Sequence, residues 1–289
     1  MDIAERIETG LHMALHHATS GSCPAKLAGA LRHAVFPGGA RIRPRLCLAV
    51  ALACGDRHAR AATAAAVAIE LLHCASLVHD DMPCFDDAAV RRDKPTVHVA
   101  FGEEIALLTG DGLIVAAFET LARETMLTPA LTAPLVATIA TAVGSPHGLV
   151  AGQAWESEPD MHLGSYHQAK TASLFIGAVS AGAIAASGNP RDWIALAKAL
   201  GAAYQVADDL YDAVGETGSM GKPAGQDLRN GKPNIVAELG VEDTLRHLRK
   251  LVETAADNVP DCPGAESMKA MIRKEATRLM PAKLPASAA

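Results

Sequence analysis

Apolar positions recur at helical spacing through most of the chain, and polar residues collect where the apolar runs end. Ile3, Ile7, Leu11 and Leu15 stand four apart and form the stripe of a helix over residues 3–17. A turn at 21–24 precedes a short helix over 25–35, and Pro37-Gly38-Gly39 breaks the pattern before a helix over 41–54. Residues 60–78 are rich in Ala and Leu, with no Pro or Gly, and read as a buried helix. Further helices follow over 93–101, 103–126, 131–143 with Pro134 in its first turn, 166–187, 193–214, 245–256 and 268–280. Residues 144–148 read as a flexible join and 215–231 as a polar, Gly-rich lid, while 281–289 read as a frayed tail. No stretch alternates with period two, and no repeat of solenoid length is present. The pattern predicts an all-α fold, one domain over 1–289, built as a single bundle of about ten to thirteen helices.

Composition narrows this further. Hydrophobic residues make up 49% of the chain but aromatics only 3%, so the core is built from Ala, Leu, Val and Ile. The net charge of −6 and the lack of a Lys/Arg run exclude a basic nucleic-acid surface. The six cysteines include no CxxC pair, and Cys47 and Cys54, seven apart in an apolar helix, read as small core residues rather than a disulfide, as expected in a reducing cytoplasm. Residues 1–20 carry acids and histidines rather than the apolar segment of a signal peptide. The apolar stretch 172–187 is 16 residues long, short of the ~20 needed to span a bilayer, so no membrane span is expected.

The chemistry collects at two acidic clusters. His79-Asp80-Asp81-Met82-Pro83-Cys84-Phe85-Asp86-Asp87 closes the 60–78 helix and is followed by Arg91-Arg92. Four carboxylates at the end of an apolar run repel one another and resist desolvation. A divalent cation relieves both, and oxygen donors without Cys or accompanying His favour Mg²⁺ over zinc. The second cluster, Asp208-Asp209-Leu210-Tyr211-Asp212, lies late in the 193–214 helix, with Asp208 and Asp212 on one face. Two such clusters facing each other would hold several Mg²⁺ ions and a substrate that bridges them, and a diphosphate bridges them best. Cations for its charge follow each cluster, as Arg91 and Arg92 and as Lys222 and Lys232. Upstream, Gly38-Gly39 lets backbone N–H groups approach an anion, and Arg41 and Arg43 offer forked donors suited to diphosphate oxygens.

These residues resemble the all-trans polyprenyl diphosphate synthases, the head-to-tail isoprenoid elongases. The first cluster is similar to their DDxxxxD-x4-RR motif and the second to their DDxxD. Gly38-Gly39-Ala40-Arg41-Ile42-Arg43-Pro44 resembles their GGKRxRP segment, Lys170-Thr171 their KT pair, Gly152-Gln153 part of their GGQ, and Gln205 the Gln of FQxxDD. The matches keep family order from about residue 38 to 234. The GGARIRP form resembles geranylgeranyl diphosphate synthases of carotenoid-making bacteria most closely.

The resemblance implies a class I isoprenoid synthase fold, a homodimer contact through the 103–126 region, and a set of site roles. Asp80, Asp86 and Asp208 would bind three Mg²⁺ with help from Asp81 and Asp212, Mn²⁺ being an alternative ion. Arg91, Lys170, Thr171, Gln205, Lys222 and Lys232 would hold an allylic diphosphate, and Arg41, Arg43, His73 and Arg92 isopentenyl diphosphate. Asp80, Asp86, Asp208, Lys170 and Arg91 would carry the ionisation–condensation–elimination chemistry. In the family, bulk at the positions of Ala75 and Ser76 acts as a floor that stops elongation; both are small here, which implies a C20 product. The chain departs from the family at Ala40, where a Lys is usual, at Glu156, where Asp is usual, and after Lys232, where Pro233-Asn234 replaces Ser/Thr and Tyr. Rival readings are a terpene cyclase or squalene/phytoene-type synthase, a shorter-chain farnesyl or geranyl diphosphate synthase, and a non-catalytic subunit of a heteromeric synthase. Arg43, His73 and Arg92 speak against the first, and two intact Asp motifs against the last.

Overall fold

The stripe of Ile7, Leu11 and Leu15 is fully buried and seats α1 (Ile3–Ala18) against the long central helix α4 (Ala59–Asp80). The computed structural model describes residues 2–36, 38–159, 168–214 and 234–278, which form twelve α-helices. The others are α2 (Ala25–Val35), α3 (Ile42–Ala53), α5 (Val97–Phe101), α6 (Glu103–Glu124), α7 (Pro129–Val143) and α8 (Leu149–Trp155). After a π-helical turn over Gln168–Ala172 come α9 (Ser173–Ala185), α10 (Ile194–Val214), α11 (Ile235–Asp257) and α12 (Ala265–Arg278).

The helices bury two apolar clusters. One joins α1, α2, α4, α6 and α7, and the other joins α10, α11 and α12, with α3 and α9 contributing to both. Small side chains let α4 sit in the middle: Ala61, Ala62, Ala64, Ala65, Ala66 and Ala68 are all buried, so neighbouring helices approach from several sides at once. By length and composition α4 and α6 could each cross a membrane, yet 78% of the apolar window of α4 is buried within the bundle, as befits a core helix. α6 is buried over 44% of its window and leaves Leu107, Leu108 and Val115 exposed.

Most helices lie where periodicity places them, but α8 is an additional short helix, α11 starts at Ile235 rather than at 245, and two further differences occur at prolines. No helix starts at Asp93. Val90–Arg91 and Lys94–Pro95 pair as a short antiparallel hairpin, and the helix begins at Val97, because Pro95 biases Lys94 away from helical geometry. Pro134 is not in a first turn, since α7 starts five residues earlier at Pro129. It sits on an exposed face, where water can satisfy the carbonyl it leaves unbonded. The lid over 215–231 and the tail over 281–289 lie outside the described residues.

One buried ion pair ties four elements together. The Arg41 guanidinium bonds to Glu70 of α4 at 2.7 Å, to Glu8 of α1 at 2.9 Å and to the Val35 carbonyl ending α2 at 2.9 Å. Arg41 itself begins α3 with left-handed backbone, φ 51°. Removing one partner strands the other charge: Glu70→Leu should cost about 3–5 kcal/mol in urea unfolding. The double variant Arg41→Met/Glu70→Leu should recover most of that loss.

Candidate functional site

The end of α4 is an unfavourable place for acids, because the helix dipole turns its negative end toward them. Asp80 is nonetheless the last residue of α4, and Asp81 caps it. The chain after it folds straight back. Asp86 N–H donates to the Asp80 carbonyl at 3.0 Å and Ala88 N–H to the Asp81 carbonyl at 3.1 Å, so orphan carbonyls of the helix end are satisfied by the motif itself. This return brings Asp86 over Asp80 and explains the DDxxxxD spacing. Asp81 turns aside to Arg91, whose Nε reaches both carboxylate oxygens at 2.7 and 2.8 Å.

A third carboxylate joins Asp80 and Asp86. One oxygen of each lies within 4.8 Å of one of Glu156, just past α8. Gly152 brings α8 in: a Cβ there would stand 2.5 Å from the Lys170 backbone nitrogen, so only glycine lets α8 touch the π-helical turn. Lys170 on that turn pairs with Glu156, and its Nζ lies 3.8 Å from Asp80 Oδ1. That Asp80 oxygen is buried and accepts no hydrogen bond among the described residues. Three clustered carboxylates and an unsatisfied buried oxygen form an all-oxygen donor set, which fits a hard divalent ion.

The turn carrying Lys170 also packs against α10, which carries Asp208 and Asp209. Asp209 serves the fold: it accepts from Gln205 Nε2 and from the Ile235 N–H, both at 3.0 Å, holding the start of α11. Gln205, expected on the allylic diphosphate, is thus engaged with Asp209 in this state. Lys222 and Lys232 lie outside the described residues, as do the side chains of Thr171 and Asp212.

On the other flank stand Arg43 and His73, whose Nη1 and Nε2 lie 3.4 Å apart. The Arg43 guanidinium lies over the Phe175 ring, 5.0 Å from its centre, with Nε enclosed and unpartnered. Burial lowers its pKa, Arg92 adds to the effect, and Glu70, Tyr204 and Asp208 oppose it. His73 is driven well below the usual histidine range by burial and then by Arg43 and Arg92, so its imidazole is neutral at physiological pH. Two cations and an enclosed donor converge there, an arrangement that calls for an anion.

Two expectations for this flank are corrected. Arg41 does not face a diphosphate, because Glu70, Glu8 and Val35 occupy its guanidinium. Burial opposes its charge, but Glu70 and Glu8 more than offset that and raise its pKa. The two glycines also have another use than anion approach. A Cβ on Gly38 would fall 2.0 Å from Arg41 Cζ, and one on Gly39 would fall 2.8 Å from Arg92 Cζ, so the loop is layered between these two guanidinium groups. Glu156 was absent from the expected metal ligands. Its signal was its place three residues after Gln153, where the family carries another carboxylate.

A helical bundle with this carboxylate cluster and a cationic flank has the make-up of an isoprenoid synthase. The polyprenyl synthetase family model matches residues 24–268. Geranylgeranyl diphosphate synthase of Cereibacter sphaeroides is 49% identical over 99% of this chain and 99% of its own. That of Rhodobacter capsulatus is 46% identical over 100% and 99%. Among solved structures, an FPP/GFPP synthase from Zymomonas mobilis is similar with a TM-score of 0.80 and 32% identity, covering 95% of this chain and 97% of that one. A geranyltransferase from Helicobacter pylori, complexed with magnesium and isoprenyl diphosphate, has a TM-score of 0.76 at 25% identity, covering 96% and 98%. The chain belongs to the polyprenyl synthetase family.

The depressed pKa of His73 makes a stability prediction. Below about pH 6.5 the unfolded chain takes up a proton at His73 that the folded chain refuses. Stability from this group is therefore complete above that pH and lost as pH falls, by up to about 1.4 kcal/mol at pH 5.5. The drop in Tm from pH 7.5 to 5.5 should be smaller in His73→Gln than in the wild type.

Proposed function

We propose that this chain is a Mg²⁺-dependent prenyltransferase that joins isopentenyl diphosphate head-to-tail to dimethylallyl, geranyl or farnesyl diphosphate and ends at the C20 product, geranylgeranyl diphosphate. The observation that carries this reading is the pairing of a carboxylate cluster, answered only in part by Lys170, with a separate cationic flank where Arg43 stands beside His73 with an enclosed, unbonded Nε. The two bacterial relatives named geranylgeranyl diphosphate synthase match end to end and support the product class.

In this reading Asp80, Asp86 and Glu156 hold metal from one side, with Asp208 and Asp212 from the other. The site takes three ions, with Mn²⁺ able to replace Mg²⁺. When bound, the ions draw charge from the allylic diphosphate and so favour cleavage of its C–O bond. Lys170 turns from Glu156 to the diphosphate, where Arg91, Thr171, Gln205, Lys222 and Lys232 share its oxygens. Arg91 also keeps Asp81 in place. Arg43, His73 and Arg92 hold isopentenyl diphosphate with its double bond near C1 of the allylic cation. The alkene forms the new C–C bond, and the proton lost from the product goes to an oxygen of the departing diphosphate, since the nearby carboxylates are committed to metal. The chain works as one domain over 1–289, in the cytoplasm, as a homodimer joined through the exposed Leu107, Leu108 and Val115 face of α6.

Purified protein incubated with Mg²⁺, isopentenyl diphosphate and each allylic primer should yield a C20 alcohol after dephosphorylation. A C10 or C15 end product would overturn the chain-length assignment while keeping the chemistry, and no elongation by folded protein would overturn the function. Ser76 shares the face of α4 with His73 and Asp80, whereas Ala75 is turned into the core. Ser76→Phe should therefore shorten the product to C15 or less while keeping condensation with dimethylallyl diphosphate, as read by chromatography of the same alcohols.

A further inference from the structure

The hairpin after the first acidic motif turns on Arg92 and Asp93, with φ of 54° and 61°. Neither residue is glycine. Left-handed backbone costs roughly 1–2 kcal/mol per such residue, and it persists only where surrounding contacts hold it. Those contacts lead to one place. Val90 pairs with Pro95 and Arg91 with Lys94 across the hairpin. His33 of α2 donates from Nε2 to the Pro95 carbonyl at 2.8 Å, and Lys94 Nζ donates to the Phe36 carbonyl at 2.8 Å. The carbonyls at the end of α2 would otherwise be orphans; Arg41 takes that of Val35 and Lys94 that of Phe36. Among the described residues no carboxylate forms an ion pair with Lys94.

From this geometry we propose that Lys94 is a positioning residue for the isopentenyl diphosphate flank. It fastens the Phe36–Arg41 loop to the hairpin, and so sets the separation between Arg92, on the hairpin, and Arg43, in the first turn of α3. The loop itself offers little to do this. Ala40 carries no charge, and Arg41 is consumed by Glu70 and Glu8. Gly39 lies against the Arg92 guanidinium, so a loop released at Phe36 loses its hold on Arg92 and lets Arg92 and Arg43 move apart. The inference rests on the proposed function for its substrate, but its structural half stands apart from it.

The test uses the full chain with Lys94→Met and Lys94→Arg. In steady-state assays with both substrates, Lys94→Met should raise KM for isopentenyl diphosphate about tenfold and leave kcat and the allylic KM within about twofold. Lys94→Arg, which keeps a donor for the carbonyl, should restore the wild-type value. Hydrogen exchange of the substrate-free proteins should show lost protection over residues 38–41 in Lys94→Met and normal protection in Lys94→Arg. An unchanged KM, a rise of both KM values together, or unchanged protection in Lys94→Met would overturn the proposal. Should the wild type make no condensation product, the proposed function fails, and hydrogen exchange alone then decides whether Lys94 holds the loop. A Lys94→Met protein that does not fold leaves the decision to Lys94→Gln, which keeps an uncharged donor and should fall between the other two.

Discussion

Like charges crowded at the wrong end of a helix are the constraint on which this structure depends. Asp80, Asp86 and Glu156 stand within a few ångströms of one another, at the end of α4 where the dipole adds to their repulsion. Each neighbouring feature lowers that cost. The loop after Asp81 returns its N–H groups to the helix end, Arg91 takes Asp81, and Lys170 is brought to Glu156 by the approach of α8 at Gly152. The relief is partial, as the unbonded oxygen of Asp80 shows. A site left short of positive charge suits a cation, and the remaining repulsion among these carboxylates is what a bound metal would relieve.

The opposite flank has the complementary imbalance. Arg41 and Arg43 stand two residues apart, yet one is neutralised by Glu70 and Glu8 while the other is left with an enclosed donor. The difference lies in direction. Arg41, in left-handed backbone before α3, points back under Gly38 into the space between α1 and α4, whereas Arg43, inside the helix, points across to His73 and Phe175. The first builds the platform and the second uses it. A carboxylate-rich flank and a cation-rich flank thus carry opposite imbalances of charge, suited to a metal ion and to an anion respectively, and the Arg92 hairpin stands between them.

Much of this was legible in the chain. Period 3.6 located the helices, because burying one stripe of a helix leaves a regular trace, and α2 was readable to its last residue. The Asp motifs and their flanking cations were readable because metal and diphosphate binding require particular atoms at particular spacings. Three things were not. The hairpin at 90–95 looks like a helix start in sequence, since two-residue strands bury too little to leave a period. In sequence Arg41 resembles a ligand, since local sequence does not say which way a guanidinium points. Glu156 was missed as a third carboxylate, because its partners are about 70 residues away in the chain.

The division follows from the range of the forces involved. Helix positions, the all-α class, the acidic motifs and the family were determined by the sequence itself, through local periodicity and short motifs whose chemistry acts within a few residues. Only the tertiary structure decided which charges are neutralised and which are left for a ligand. Desolvation and Coulomb interaction act through space, so the same arginine or carboxylate becomes scaffold or site according to what other helices bring beside it.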